Sequence, residues 1–264
     1  MRKALLQPNR IGYCISMKQK ALIIRFSSFG DIIQSLACVP ELAQNYDIHF
    51  LTKSQFAALP SMHSNVSKVI SFNKKDGLLG LIKLGLHLRK DHYHLVYDAH
   101  ENPRSKIIRI ILTLFSNSKL VIRPKERIKR LLFFNFKWRS ILPHPYKGMI
   151  SFCKPLDIKA RSHQFNFTHL ISEDRRRYLD GFSNRICLVP SAAWKMKRWP
   201  LDHWKALVSS LDKDSVILGG PEDLFCEDIA QMNTHCENLA GLLSLVESCY
   251  LISISKIVVS ADTG

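Results

Sequence analysis

Short apolar runs alternate along the chain with segments whose apolar residues recur at helical spacing. The first run, residues 21–26, is rich in branched side chains and precedes a small-residue turn and a helical pattern over Ile32, Ile33, Leu36 and Val39. Further elements are predicted as strands at 48–51, 68–72 and 95–98 and a helix at 78–89. Strands that alternate with helices predict a parallel sheet covered on both faces.

The periodicity weakens between about residues 143 and 180, where Pro143, Pro145, Gly148 and Pro155 interrupt the chain. The strand pattern then restarts, with strands predicted at 185–190, 215–218 and 257–260 and a helix at 204–211. We therefore predict an α/β protein of two Rossmann-like domains that face a cleft. The predicted divisions are an extension at 1–16, a first domain at 17–165, a linker at 166–180 and a second domain at 181–264.

Ligands of open parallel sheets bind beyond the carboxyl ends of the strands, so the loops that follow strands are the candidate binding loops. Asp31 follows Gly30 in the first of these loops, where an acidic residue at a helix start is also a common cap. In the functional interpretation Gly30 lets the backbone turn tightly and Asp31 points into the cleft, where it can take a proton from a hydroxyl. Ser28 and Gly30 then lie beside the molecule that carries this hydroxyl, the acceptor of the transferred group.

The loop at 99–105 is predicted to line the same cleft. His100, Asn102 and Arg104 are candidates for binding carboxylates or phosphates of an acceptor, although such side chains on loops are often only solvated. Both interpretations remain open on local sequence.

The segment 191–200 follows a strand and places three cations between two tryptophans. The small residues Ser191 and Ala192 permit close backbone approach to an anion, and Lys195 and Lys197 can neutralise a diphosphate. The alternative is a solvated basic loop with Trp194 and Trp199 packed beneath it.

Two further turns contain carboxylates that suit a nucleotide. Gly219-Gly220-Pro221 ends a strand and is followed by Glu222 and Asp223, which can accept hydrogen bonds from ribose hydroxyls or can simply cap the turn. Asp262, Thr263 and Gly264 also follow a strand, as expected of a phosphate-binding turn.

Composition limits the possible partners. The 264 residues are 46% hydrophobic and carry a formal net charge of +16, which favours acidic partners such as phosphorylated substrates, an anionic membrane face or nucleic acid. The chain has no apolar run long enough for a membrane span and no secretory signal pattern, so a cytoplasmic location is expected. Seven scattered cysteines without a C-x-x-C pair indicate reduced thiols and no metal site.

Residues 123–139 mix seven basic residues with leucines and aromatic residues. The pattern fits a basic helix face packed on the core, and it also fits a contact with an anionic lipid surface or acidic glycolipid.

Five segments, IIRFSSFGDII, PSAAWKMKRWP, LGGPED, NLAG and SADTG, occur in this order and together resemble the ADP-heptose:lipopolysaccharide heptosyltransferase family. The resemblance implies the two-domain GT-B glycosyltransferase fold, with the nucleotide-sugar donor on the second domain and the lipopolysaccharide-core acceptor on the first. It implies inverting transfer without a metal or cofactor, at the cytoplasmic side of the inner membrane. The catalytic residues are then Asp31 as base and Lys197 beside the diphosphate.

The family pattern also assigns the donor site, at Ser191, Ala192, Lys195, Glu222, Asp223, Asp262, Thr263 and Gly264. Relatives continue past the SADTG segment, so the second domain is expected to be incomplete here, and a non-catalytic relative that binds an acidic glycolipid is the alternative. Nucleic acid is not expected as a partner, because no recognition motif accompanies the charge. A nicotinamide-dependent dehydrogenase is disfavoured, because neither half opens with G-x-G-x-x-G.

Overall fold

The computed structural model describes residues 18–114, 116–125, 127–137, 148–162, 165–192 and 194–261, without the side chains of Arg127, Ile128, Arg130 and Lys195. The predicted extension at 1–16 lies outside these residues. Within them, no helix is both long and apolar enough to cross a membrane.

Five parallel strands form the first sheet, in the spatial order β3-β2-β1-β4-β5. They are β1 (Gln19–Ile24), β2 (Tyr46–Lys53), β3 (Val66–Phe72), β4 (Leu95–Asp98) and β5 (Lys119–Ile122). The strand order reverses at β1, and the last residue of β1, Ile24, is in register with Asp98 of β4. The loops that follow these two strands therefore leave the sheet side by side, at the usual position of a ligand site.

The second sheet repeats this arrangement with four parallel strands in the order β8-β7-β6-β9. They are β6 (Ile186–Val189), β7 (Ser215–Ile217), β8 (Cys236–Asn238) and β9 (Ile257–Ser260). Val189 is in register with Ser260, so the loop that begins at Ser191 leaves the sheet next to the end of β9. The prediction of an α/β fold with two Rossmann-like halves is confirmed.

Helices cover both sheets. They are α1 (Phe29–Ser35), α2 (Val39–Leu42), α3 (Ala58–Ser61), α4 (Gly77–Arg89), α5 (Pro103–Thr113), α6 (Arg127–Asn135), α7 (Gly148–Cys153), α8 (Glu173–Asp180), α9 (Leu201–Ser209), α10 (Phe225–Ala230) and α11 (Leu245–Ile254). Alternate residues of β1 enter two separate cores, Ile23 on the α1 side and Leu22 on the side of α4 and α5. Because both faces of the strand are buried, it reads as a continuous apolar run.

The predicted linker, residues 166–180, contains α8 and contributes to the cores of both domains. Phe167 and Ile171 are buried in the first-domain core, whereas Leu179 is buried in the second-domain core. Val246 of α11 returns to the first-domain core, and Glu247 beside it pairs with Arg175 of α8. The connection between the domains is thus a packed segment.

The loop after β4 is shorter than predicted. The sequence assigned residues 99–105 to a loop, but α5 begins at Pro103, so Arg104 lies in the first turn of that helix. Asn102 is the helix cap: its side-chain oxygen accepts from the backbone N–H of Ser105 at 2.8 Å, which anchors the helix start.

Candidate active site

Asp31 lies in the first turn of α1 and is held from two sides. The buried guanidinium of Arg25 forms an ion pair with Asp31 Oδ2. Ser28 donates to the same oxygen from its hydroxyl at 2.9 Å and from its backbone N–H at 3.4 Å. Arg25 also donates to the carbonyl oxygen of Ala99 at 2.7 Å, so it ties the loop after β1 to the loop after β4. The Asp31 side chain keeps 35% of its surface exposed, which leaves it accessible to a ligand.

The pKa of the Asp31 carboxyl lies below its ordinary value. Burial by itself raises this pKa, but the positive charge of Arg25 and the hydrogen bonds from Ser28 lower it by more. Asp31 is therefore ionised at neutral pH, as a general base must be. The bonds from Ser28 are also those of a helix-start carboxylate, so the geometry accommodates both interpretations of this residue.

Gly30 does not make the tight turn that the sequence predicts. It lies inside the first turn of α1, and the glycines with positive φ in the described part of the chain are Gly77, Gly148 and Gly241. The chain bends before the helix, where Ser28 is extended at φ −89° and ψ −177°. The prediction for Gly30 was wrong because the serines before the helix take up the change in chain direction.

A buried carboxylate holds the loop after β4. Asp98 is fully buried; its Oδ1 accepts from the backbone N–H groups of His100 and Glu101 at 3.0 and 2.8 Å. Its Oδ2 accepts from Ser105 Oγ at 2.9 Å and from Arg109 at 3.2 Å. Saturated in this way, Asp98 fixes the backbone that carries His100 and Asn102.

His100 is a buried, neutral side chain in the loop after β4. It is 8% exposed, and its ring meets Phe26 edge to face at 5.9 Å. Burial, and then the charge of Arg25, lower the pKa of His100 to about 3. Its Nδ1 has no hydrogen-bond partner among the described residues. At neutral pH His100 is thus a hydrogen-bonding group and not a cation.

Several cations lie near these residues, and the sequence analysis selected Arg104 alone among them. Lys74 and Arg104 line one cleft, and burial together with their charges lowers the pKa of Lys53 at the end of β2. Arg25 and Arg123 both lie over the ring of Phe152, with guanidinium carbons 5.5 and 3.9 Å from its centre.

Arg25, Lys53 and Arg123 each follow or end a strand of the first sheet, at β1, β2 and β5. That shared position at the carboxyl ends of neighbouring strands is the signal that could have identified them.

The loop after β6 exposes its aromatic and basic side chains. Trp194 and Trp199 are 71% and 44% exposed, so the alternative in which both pack beneath the loop is wrong for Trp194. The buried indole of this region is Trp204 of α9, whose ring lies 5.2 Å from that of Trp199. Trp204 occupies the core position, which leaves Trp194 on the surface.

Within this loop the cations have different positions. Arg198 folds back and donates from Nε to the carbonyl oxygen of Ala192 at 2.7 Å, so it shapes the loop. Lys197 ends a short 3-10 turn, Lys195–Lys197, in which its N–H donates to the carbonyl of Trp194 at 2.9 Å. Ala192 is buried and Ser191 half-buried. Ser191, Ala192 and Lys197 thus lie in one loop, as predicted.

The turn after β7 and the NLAG segment pack on each other. Asp223 accepts from the N–H of Gly220 at 2.7 Å and closes the turn, whereas Glu222 is exposed. Gly241 has φ +77°, and a Cβ there would lie 2.9 Å from Pro221 Cα. A larger side chain at position 241 would thus collide with Pro221, so the close packing of the two motifs requires glycine there. Asp223, which closes the turn, has a structural role. Asp262, Thr263 and Gly264 lie outside the described residues.

The comparisons with known proteins agree with this architecture. The family model for glycosyltransferase family 9 (heptosyltransferase) matches residues 81–264. The lipopolysaccharide core heptosyltransferase OpsX of Haemophilus influenzae is 23% identical over 261 residues, which cover 92% of this chain and 73% of that protein. A lipopolysaccharide heptosyltransferase 1 of Campylobacter coli is 30% identical over 98 residues, or 36% of this chain and 29% of that one.

Solved structures share the fold. A glycosyl transferase family 9 protein of Veillonella parvula superposes with a TM-score of 0.72 at 15% identity, over 92% of this chain and 75% of its own. E. coli heptosyltransferase WaaC, solved with ADP-2-deoxy-2-fluoro heptose, gives 0.66 at 19% identity, over 93% and 83%. E. coli ADP-heptose lps heptosyltransferase II gives 0.63 at 21%, over 93% and 80%. The GT-B fold class is thus confirmed. Because the family model spans more than half of the chain, the protein belongs to glycosyltransferase family 9 and is a glycosyltransferase of the heptosyltransferase type.

Proposed function

We propose that the protein transfers a heptose from ADP-heptose to the inner core of lipopolysaccharide, with inversion and without a metal ion or cofactor. The observation that carries the proposal is the ionised Asp31, fixed by Arg25 where the strand order of the first sheet reverses. The names of two similar proteins support the substrates: WaaC of E. coli holds an ADP-heptose analogue, and OpsX of H. influenzae is a lipopolysaccharide core heptosyltransferase.

In this reaction Asp31 accepts the proton of an acceptor hydroxyl as that oxygen attacks the anomeric carbon. The new carbon–oxygen bond forms while the bond from that carbon to the diphosphate oxygen breaks, and ADP leaves with the electron pair. A single displacement of this kind inverts the anomeric centre. Its transition state gains negative charge on the diphosphate, so it requires positive charge on that side.

The second domain supplies that charge in the proposal. Lys197 acts on the leaving diphosphate, with Lys195 and the backbone of Ser191 and Ala192 beside it. Exposed Glu222, or the free oxygen of Asp223, accepts from the ribose hydroxyls. Asp262, Thr263 and Gly264 contact the donor sugar and its phosphates. Lys197 then faces Asp31 across the cleft.

The first domain holds the acceptor. Lipopolysaccharide-core acceptors carry acidic sugars and phosphates. Lys53 and Lys125 act on His100, Arg104 and Lys74 act on Lys53, and Arg123 shares the ring of Phe152 with Arg25. Neutral His100, together with Ser28, Gly30 and Asn102 of the two adjoining loops, completes the acceptor surface. We place the protein in the cytoplasm, peripheral to the anionic inner-membrane surface, and assign it no nucleic-acid partner.

The test is transfer from ADP-heptose to a purified inner-core acceptor by the whole chain, with and without EDTA. We expect transfer that EDTA does not reduce and that Asp31→Ala abolishes. Asp174→Ala is the matched control, because Asp174 is an acidic residue in the first turn of α8 whose side chain is 94% exposed. Lys197→Ala is expected to weaken use of the donor. Absence of any transfer that depends on Asp31 contradicts the proposal.

A second candidate is binding of an acidic glycolipid without transfer. It is favoured by the contacts of Asp31, Arg25, Asp98 and His100, which form within the first domain and need nothing from the second. Calorimetry distinguishes the two candidates: this one predicts acceptor binding without ADP-heptose binding.

A further inference from the structure

Helix α4 is apolar on two opposite sides although it lies at the protein surface. Leu81, Gly85 and Leu88 are buried against the sheet, at the spacing of one helix face. Leu78, Leu79 and Leu86 are nevertheless 59%, 74% and 52% exposed. A surface helix ordinarily carries polar residues on its outer side, so this second apolar side needs a partner.

The neighbouring helix α5 extends the same surface. Ile110 of α5 and Leu114 at its end are 47% and 50% exposed, one helical turn apart. The two helices approach closely, because a Cβ on Gly85 would lie 2.8 Å from Cδ1 of Ile111. On a helical projection, the exposed leucines of α4 and the exposed apolar residues of α5 flank this contact. We call this surface, formed by Leu78, Leu79, Leu86, Ile110 and Leu114, the α4–α5 face.

Exposed cations surround the α4–α5 face. They are Lys74, Lys75, Lys83, Arg89, Lys90, Arg104 and Lys106. The stretches 74–90 and 103–114 contain a single acidic residue, Asp76. Apolar side chains within a ring of cations match the interface of an anionic bilayer, where leucines enter the acyl boundary and cations meet the headgroups. Two copies of this face would instead oppose like charges.

The face is continuous with the proposed acceptor site. A cleft of about 450 Å³ opens between the starts of α4 and α5, with apolar walls that include Leu78 and Ile107 and cations at Lys74 and Arg104. Burial, and then the charges of Arg104 and Lys74, lower the pKa of Lys53, which ends β2 in the proposed acceptor site. A membrane on the α4–α5 face would thus lie next to the site of a lipid-linked acceptor.

We infer that the α4–α5 face is the surface that docks on the anionic inner membrane. The inference rests on the membrane location in the proposed function and names the surface responsible. The sequence instead offered residues 123–139, which fit either a basic helix face packed on the core or a lipid contact. Leu131 and Phe134 of α6, in that stretch, are also exposed.

The test is co-sedimentation of the whole chain with vesicles of phosphatidylcholine, alone or mixed equally with phosphatidylglycerol. We expect binding to the mixed vesicles that weakens with salt, and a partition coefficient about tenfold lower in the double variant Leu79→Glu/Leu86→Glu. Leu224→Glu/Leu242→Glu is the matched control, because these leucines are exposed on the second domain. Its binding is expected within about twofold of the parent protein.

Three outcomes would overturn the inference: equal loss in both double variants, no binding to the mixed vesicles, or a loss caused by Phe134→Glu and not by the α4 variant. Thermal unfolding checks that the variants are folded, and Lys83→Gln/Lys106→Gln gives a second measure, with weaker salt dependence expected. Transfer to a deacylated acceptor in solution should be unchanged in Leu79→Glu/Leu86→Glu. Failure of vesicle binding with intact transfer would therefore reject the docking surface and leave the proposed function standing.

Discussion

The first-domain and second-domain parts of the candidate site are built differently. Around Asp31, the groups that hold the geometry are buried: Arg25 is 4% exposed and Asp98 is fully buried. In the loop after β6, Trp194 and Met196 are largely exposed, and the loop is shaped mainly by Arg198 and backbone contacts. A buried network fixes its geometry before a ligand arrives, whereas an exposed loop loses conformational entropy when it binds. The surroundings of Asp31, the proposed acceptor side, are therefore expected to tolerate substitution less well than the loop after β6, the proposed donor side.

The largest expected effect comes from Asp31→Asn, which keeps the shape of the side chain and removes its charge. We expect kcat to fall by about 10²- to 10⁴-fold, the usual contribution of a general base. ADP affinity, measured by calorimetry, should not change, because Asp31 belongs to the first domain. If Asp31→Asn retained its rate, Asp31 would not be the base. The expected difference between the two parts of the site would then be contradicted.

Asp98→Ala tests the buried network through stability. The change leaves the N–H groups of His100 and Glu101 and the guanidinium of Arg109 without their common acceptor. We expect the free energy of unfolding to fall by about 3 kcal/mol in chemical denaturation. Asp202→Ala, in the exposed first turn of α9, is the control. Similar small losses in both variants would contradict a rigid acceptor side.

Arg25→Met tests how the carboxylate is held. Arg25 lowers the pKa of Asp31 against the effect of burial, so its removal should raise that pKa and move the acid limb of the pH–rate profile to higher pH. At neutral pH we expect about a tenfold loss of kcat from lost positioning. Arg25→Lys should restore part of both effects. An unmoved acid limb would show that Arg25 does not act through Asp31.

The stability of this ion pair has a defined pH dependence. Because the folded-state pKa of Asp31 is depressed, its stabilising contribution is present above the unfolded-state value and is lost as the pH falls through the folded value. In Arg25→Met that acid-side loss should be smaller, as denaturation at a series of acidic pH values would show.

Trp194→Ala should have the smallest effect on stability. The side chain is 71% exposed, so we expect a change within about 0.5 kcal/mol in the free energy of unfolding. A loss comparable to that of Asp98→Ala would mean that the loop after β6 is as tightly packed as the surroundings of Asp98.

Much of the fold could be predicted because the central strands are buried on both faces. Strands β1, β4 and β6 are short branched or apolar runs, and each was found near its observed position. Strands β5 and β8 were not predicted: β5 is a four-residue run, Lys-Leu-Val-Ile, and β8 reads Cys-Glu-Asn, which lacks any strand pattern. Their pairing depends on a neighbouring strand distant in sequence, which local periodicity cannot show.

The candidate site was predictable only in part, for a similar reason. Asp31 was found because it stands in a short motif, but Arg25 and Arg123 were not, because their importance comes from the strands that bring them to one ring. Gly30 was misread because a glycine before a helix resembles a turn residue. The domain boundaries, the site roles and the substrates remain predictions.

The ring of Phe152 contacts the guanidinium groups of both Arg25 and Arg123, and it comes from α7, far downstream of both loops that carry the site. The guanidinium that pairs with Asp31 therefore packs on a residue that is synthesised later than the loops of the site. A chain that has collapsed only around β1, β2 and α1 would carry the motif without the support for its ion pair. The site should thus mature as one of the last events in folding of this domain, and hydrogen exchange at α7 should report on its integrity.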